Sequence, residues 1–150
     1  MGTIMQTLVT TTATANPGRI SLGLPATTES PGAARRIVES ALVRWLVPGD
    51  SVETMLLVVS ELVTNAVAHG KGPVGFSLSC GEKNATGSSV LRVEVTDASC
   101  ERVRRRQAAG HEEHGRGLAL VEALADRWGQ DLFPQGKRVW CEIGVSQGSP

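Results

Sequence analysis

Hydrophobic positions recur along this chain at two periods, and the switches between them outline its elements. Residues 3–16 carry no charge and keep no period, so they read as a flexible tail, with the folded domain expected over residues 18–146 and a short tail over 147–150. Arg19–Leu24 alternates Ile20, Leu22 and Leu24 against Arg19, Ser21 and Gly23, the period-2 pattern of a strand. A helix is expected next, with Ser30 as N-cap and Pro31 at its first position. Ile37, Val38, Ala41, Leu42, Trp45 and Leu46 form its apolar stripe, and Pro48-Gly49 stops it. Asp50 then opens a second helix, with Glu53 completing a capping box. Its stripe is Val52, Met55, Leu56, Val59, Leu62, Val63, Ala66 and Val67, and Gly70 ends it.

Sheet follows. Val74–Cys80 and residues 90–96 read as strands, joined by the polar loop 81–89. Residues 98–114 keep no period and carry many charges; a connection of that length is usually functional or mobile. Gly115-Arg116-Gly117 leads into a third helix, with Leu118, Val121, Leu124, Ala125 and Trp128 inward. Pro134-Gln135-Gly136 marks a turn. The last strand, over 138–145, puts Val139, Cys141, Ile143 and Val145 on one face. The order strand, two helices, two strands, helix, hairpin predicts an α+β, two-layer α/β sandwich. Its helices lie on one face of a mixed, mostly antiparallel sheet.

Composition narrows the function classes. Counting the 17 glycines with the 41% hydrophobic residues takes the apolar share just above the ~45–50% of ordinary domains, so a core is available. Fifteen basic and 15 acidic residues leave no net charge, which argues against binding driven by nucleic-acid phosphates. The longest apolar run, residues 55–59, falls far short of the ~18 that cross a membrane, and the N-terminus lacks a secretory pattern. Cys80, Cys100 and Cys141 are odd in number and widely spaced, so they read as reduced thiols in a cytoplasmic protein.

Three groups of residues could carry chemistry. Glu61, Asn65 and His69 stand at i, i+4 and i+8 on the second helix, beside its apolar stripe. Asparagine is a mediocre helix former, and its carbonyl oxygen suits Mg²⁺; a carboxylate one turn earlier could accept a proton during phosphoryl transfer. The ordinary alternative is a solvated polar face. Asp97 ends a strand ahead of Ala98-Ser99, where a buried carboxylate could accept a hydrogen bond from an exocyclic amine. Asp and Ser are also common turn residues. Gly115-Arg116-Gly117-Leu118 opens a helix whose first N–H groups face outward to anions, with Arg116 adding charge, though it is neither a Walker A loop nor a GxGxxG fingerprint. Arg102, Arg104, Arg105 and Arg106 make a basic cluster, and His111-Glu112-Glu113-His114 lacks zincin spacing. The three tryptophans read as structural, Trp45 and Trp128 on helix stripes and Trp140 on a strand.

In order and spacing these groups resemble the GHKL ATPase/kinase superfamily, which includes gyrase and the catalytic domains of histidine kinases. Within it the chain looks most like the small anti-sigma-factor serine/threonine kinases of the RsbW/SpoIIAB type. Residues 61–69 (ELVTNAVAH) match the N box of that branch, Asp97 the aspartate of the G1 box, and Gly115-Arg116-Gly117-Leu118 the G2 box. The resemblance spans about residues 20–145 and implies the Bergerat ATP-binding fold with ATP and Mg²⁺ as ligands. It implies Glu61 as general base, Asn65 as the Mg²⁺ ligand and Asp97 as the acceptor for the adenine amine. It further implies Ser99, Gly115, Arg116, Gly117 and Leu118 at the nucleotide, with residues 99–114 as the ATP lid. Two departures stand out: Ala98-Ser99-Cys100 follows Asp97 where relatives usually have glycines, and Arg138 and Val139 stand where many have an adenine-binding threonine.

The implied function is a protein serine kinase that sequesters a sigma factor and phosphorylates an anti-anti-sigma partner with a STAS domain. Proteins of this branch commonly form homodimers, and the reading needs no direct contact with nucleic acid or membrane. The alternative is a catalytically weak, ATP-dependent binding module. A histidine-kinase fragment is disfavoured, because histidine occurs only at 69, 111 and 114, leaving no upstream phosphoacceptor.

Overall fold

The computed structural model describes residues 18–81, 88–101 and 116–146. Its elements are β1 (Arg19–Leu24), α1 (Ser30–Arg44), α2 (Gly49–His69), β2 (Val74–Cys80), β3 (Ser88–Asp97), α3 (Arg116–Leu124), β4 (Arg127–Phe133) and β5 (Gly136–Ser146). The five strands form one sheet in the order β1-β2-β3-β5-β4, and every neighbouring pair is antiparallel.

The period-2 rows decide which face is dry. Ile20, Leu22 and Leu24 of β1 share the core with Phe76 and Leu78 of β2. Leu91, Val93 and Val95 of β3 and Val139, Cys141, Ile143 and Val145 of β5 continue the same layer. Ala34, Val38, Ala41 and Leu42 of α1 pack onto it, and α2 contributes Met55, Val58, Val59, Leu62 and Val63. By length and composition α2 is apolar enough to cross a membrane, with a mean hydropathy of 1.4 over 18 residues. Its apolar stripe lies in the core, where Met55, Val58, Val59, Leu62 and Val63 are buried, while Asp50, Glu53 and Glu61 keep the rest of the helix polar.

The opposite face of the sheet is polar. Arg92 reaches Glu94 at 2.7 Å and Glu142 at 2.8 Å, and Arg138 reaches Asp131 at 2.8 Å. The Arg92 guanidinium also lies 4.4 Å from the centre of the Trp140 ring.

Several local expectations change. Ser30 is the first residue of α1, with Glu29 at the cap, and its buried hydroxyl donates to the Pro25 carbonyl instead of capping the helix. Leu46 leaves the stripe: it sits past the helix end at φ 59° and is 80% exposed. The capping box at Asp50 does not form, because α2 starts one residue earlier behind Pro48 and no side chain caps it. Asp50 instead lies in the first turn, where its charge favours the helix N-terminus. Gly70 ends α2 in an extended conformation, φ −83° and ψ −174°, so it is not the left-handed cap expected of a terminal glycine. Trp128 belongs to β4 and packs against the core from there, since α3 stops at Leu124.

Candidate functional site

β3 and β5 are paired so that Asp97 stands opposite Lys137. Both residues lie on the inward rows, Asp97 after Leu91, Val93 and Val95, and Lys137 before Val139, Cys141, Ile143 and Val145. Two apolar rows therefore end in a carboxylate and an ammonium at the same edge of the core. The Lys137 Nζ lies 3.3 Å from the Asp97 Oδ2, with side chains 3% and 2% exposed. A buried charge persists only when it is paired, and here each group is the other's counter-ion.

The other carboxylate oxygen is held by backbone. Oδ1 accepts from the Ser99 N–H at 2.7 Å and from the Lys71 N–H at 3.4 Å. The first of these is an Asx turn, so the ordinary turn reading of Asp97-Ala98-Ser99 is realised along with the buried one. Ser99 is itself buried, and its hydroxyl accepts from the Glu101 N–H at 3.2 Å. The Ala98 N–H donates to the Lys71 carbonyl at 2.8 Å, tying the end of β3 to the end of α2. Gly70 explains how close that approach is: a Cβ there would lie 2.6 Å from the Asp97 Cγ and 2.4 Å from the Ala66 carbonyl oxygen. At the β4–β5 turn, Gly136 takes φ +157° and a Cβ would lie 2.0 Å from the Asp97 carbonyl oxygen. Glycine is required at both places, once for space and once for space and backbone.

A small cleft opens beside this carboxylate, lined by Leu62, Asn65, Ala66, Val95, Asp97, Leu118, Lys137 and Val139. It joins Asn65, Asp97 and Leu118, which come from three separate groups in the sequence. Asn65 is 5% exposed, and its Nδ2 is buried without a hydrogen-bond partner among the described residues. That is the opposite of a solvated polar face. Buried polar atoms are nearly always satisfied, so an orphan on a residue that lines a cleft makes that cleft a candidate ligand site. A half-turn of the amide would present its carbonyl oxygen instead, the donor type that Mg²⁺ takes alongside substrate phosphates. The residue thus fits the metal the resemblance implies.

Glu61 is half-buried one turn earlier on α2 and does not line the cleft; His69 is exposed. Arg116 and Gly117 open α3, while Gly115 and the cluster 102–106 lie outside the described residues, as does most of the expected lid. Arg138 points to the polar face, and Val139 lines the cleft, so no hydroxyl stands at either position. Lys137 is the site residue that the sequence reading missed. Running the period-2 row of the last strand one step further back from Val139 would have found it facing inward. A wider trough on the polar side, over Gly23 and Gly75, holds none of these residues.

Residues 24–142 match the family described as histidine kinase-like ATPase domain. The chain belongs to that family. The histidine kinase-like ATPase domain is an ATP-binding module, and the site just described brings together the buried Asn65, Asp97 and Lys137 of this member. Among solved structures, the RsbU and RsbW domains of Rv1364c from Mycobacterium tuberculosis superpose with a TM-score of 0.65 at 18% identity. The match covers 87% of this chain and 33% of that one, so the chain spans about a third of its neighbour's length. At that identity the likeness establishes the α+β fold. The histidine kinase domain of the blue-light activated kinase EL346 from Erythrobacter litoralis, also 18% identical, covers 81% of this chain and 65% of that one at a TM-score of 0.43. No curated protein matches in sequence.

Proposed function

We infer that this histidine kinase-like ATPase domain binds Mg²⁺-ATP in the Asp97 cleft and works as a protein serine/threonine kinase and anti-sigma factor. The observation that carries the reading is the convergence of a buried carboxylate and an orphaned buried amide on one cleft. The backbone N–H groups engage Oδ1, so Oδ2, which faces the Lys137 ammonium, has a second lone pair to accept from the adenine amine. Asn65 would hold Mg²⁺, which when bound neutralises charge on the phosphates. A partner's hydroxyl oxygen would then bond to the γ-phosphorus as the bond to the ADP oxygen breaks, with Glu61 taking the hydroxyl proton.

The partners in this reading are a sigma factor, held without chemistry, and a STAS-domain antagonist, phosphorylated on Ser or Thr in the cytoplasm. Phosphorylation adds negative charge at that interface and releases the antagonist. One observation favours a second reading, a catalytically weak ATP-gated binding module: Glu61 does not line the cleft.

Calorimetry with Mg²⁺-ATP tests the binding step. Asp97→Asn is expected to weaken affinity, since the amide can present a donor where an acceptor is needed; equal affinity would refute the site. Phosphate transfer to a STAS-type partner, lost by ~10²–10⁴-fold in Glu61→Ala with ATP binding retained, separates the kinase from the binding module. A pull-down in ATP, ADP and no nucleotide tests the partners, and equal or absent binding in all three ends the switch reading.

A further inference from the structure

Lys137 has more donors than partners. Its ammonium carries three N–H groups, and among the described residues the Asp97 carboxylate is the one group it pairs with. It is enclosed to 3% exposure and lines the same cleft as the orphaned Asn65 amide. If charge neutralisation of Asp97 were its whole role, the spare donors would stay desolvated and unpaid, a costly arrangement for a buried cation. An occupant with acceptors beside a donor would satisfy both ends of the pair at once.

The purine ring of adenine has that pattern. Its exocyclic amine is flanked by two ring nitrogens, N1 and N7, each an acceptor. With the amine on the Asp97 Oδ2, an acceptor next to it falls beside the group that already sits 3.3 Å from that oxygen. We propose that Lys137 is a base-reading residue whose ammonium donates to a ring nitrogen flanking the adenine amine. Asp97 and Lys137 then read a donor and an acceptor together. The lysine stands on β5 one residue from the pair Arg138 and Val139, neither of which offers a hydroxyl to the cleft, so it supplies a polar contact to the base from this strand. The proposal rests on ATP binding at the Asp97 cleft.

The test keeps the protein intact and edits the ligand. Calorimetry compares ATP, 1-deaza-ATP and 7-deaza-ATP, each missing one ring nitrogen. Wild type is expected to bind one of the two analogues ~10–100-fold more weakly than ATP, the range for a hydrogen bond to a charged group. In Lys137→Met the same analogue and ATP are expected to bind alike. If Lys137→Met does not fold by circular dichroism, Lys137→Gln takes its place, with the penalty expected to shrink. Two analogues bound by wild type as tightly as ATP, or a penalty undiminished in the variant, overturn the role of Lys137 while leaving the ATP site standing. Absence of ATP binding by wild type overturns the ATP reading and this one with it.

Discussion

Asn65 is where stability and function pull in opposite directions. A buried donor without a partner costs about 1–3 kcal/mol, and a mid-helix asparagine adds a propensity cost, so the folded state gains nothing from the Nδ2 left buried in the cleft. Asn65→Ala is therefore expected to unfold at a temperature no lower than wild type, and to lose Mg²⁺-dependent nucleotide binding. Thermal melts alongside titrations with and without the metal check both halves. A variant that both unfolds earlier and keeps its metal dependence would mark Asn65 as a structural residue. The sequence made this residue visible because it breaks helix preference at a telling place. Lys137 was less legible: a lysine at a strand end reads as solvated by default, and only its register opposite Asp97 shows that it faces the core.

At the scale of elements, the site depends on how closely the end of α2 meets the end of β3. Gly70 leaves no room for a methyl group beside the Asp97 carboxylate, so Gly70→Ala must push the helix end or the carboxylate away. A loss of about 1–3 kcal/mol of stability is expected, together with weaker ATP binding, from denaturant titration and calorimetry. The elements themselves were readable from period alone: β1 and β2 have the bounds their alternation predicted, and α2 ends at the glycine that the sequence marked. Caps and joints were not. The cap at Asp50, the end of the α1 stripe at Leu46 and the assignment of Trp128 all failed where tertiary contacts decide. At Trp128 an apolar residue at helical spacing continues the α3 pattern, yet the chain has already turned into β4, where the neighbouring Gly129 makes way for the Trp140 ring.

For the whole molecule, Cys141 sets an alkaline limit. Burial in the core pushes its thiol up from 9.0 to about 12, with nearby Arg92 opposing that shift only in part. Above pH 9 the unfolded chain gives up this proton while the folded one keeps it, so stability is intact below pH 9 and falls as pH rises toward 12. The expected loss is on the order of 1–3 kcal/mol, read as a falling urea midpoint, and Cys141→Val should flatten that fall relative to wild type. The pairing of β3 with β5 has a consequence in time. Asp97 and Lys137 are forty residues apart in sequence, across α3 and β4, whereas β4 and β5 meet through a tight turn. Non-local pairings are slow to form because the chain must close a long loop before the contacts repay it. The cleft beside Asp97 is then expected to assemble late, after the folding transition state. Mg²⁺-ATP should accordingly slow unfolding and leave the refolding rate nearly unchanged in stopped-flow traces. Refolding accelerated by nucleotide would mean that the β3–β5 junction forms early, with the ligand helping to nucleate it.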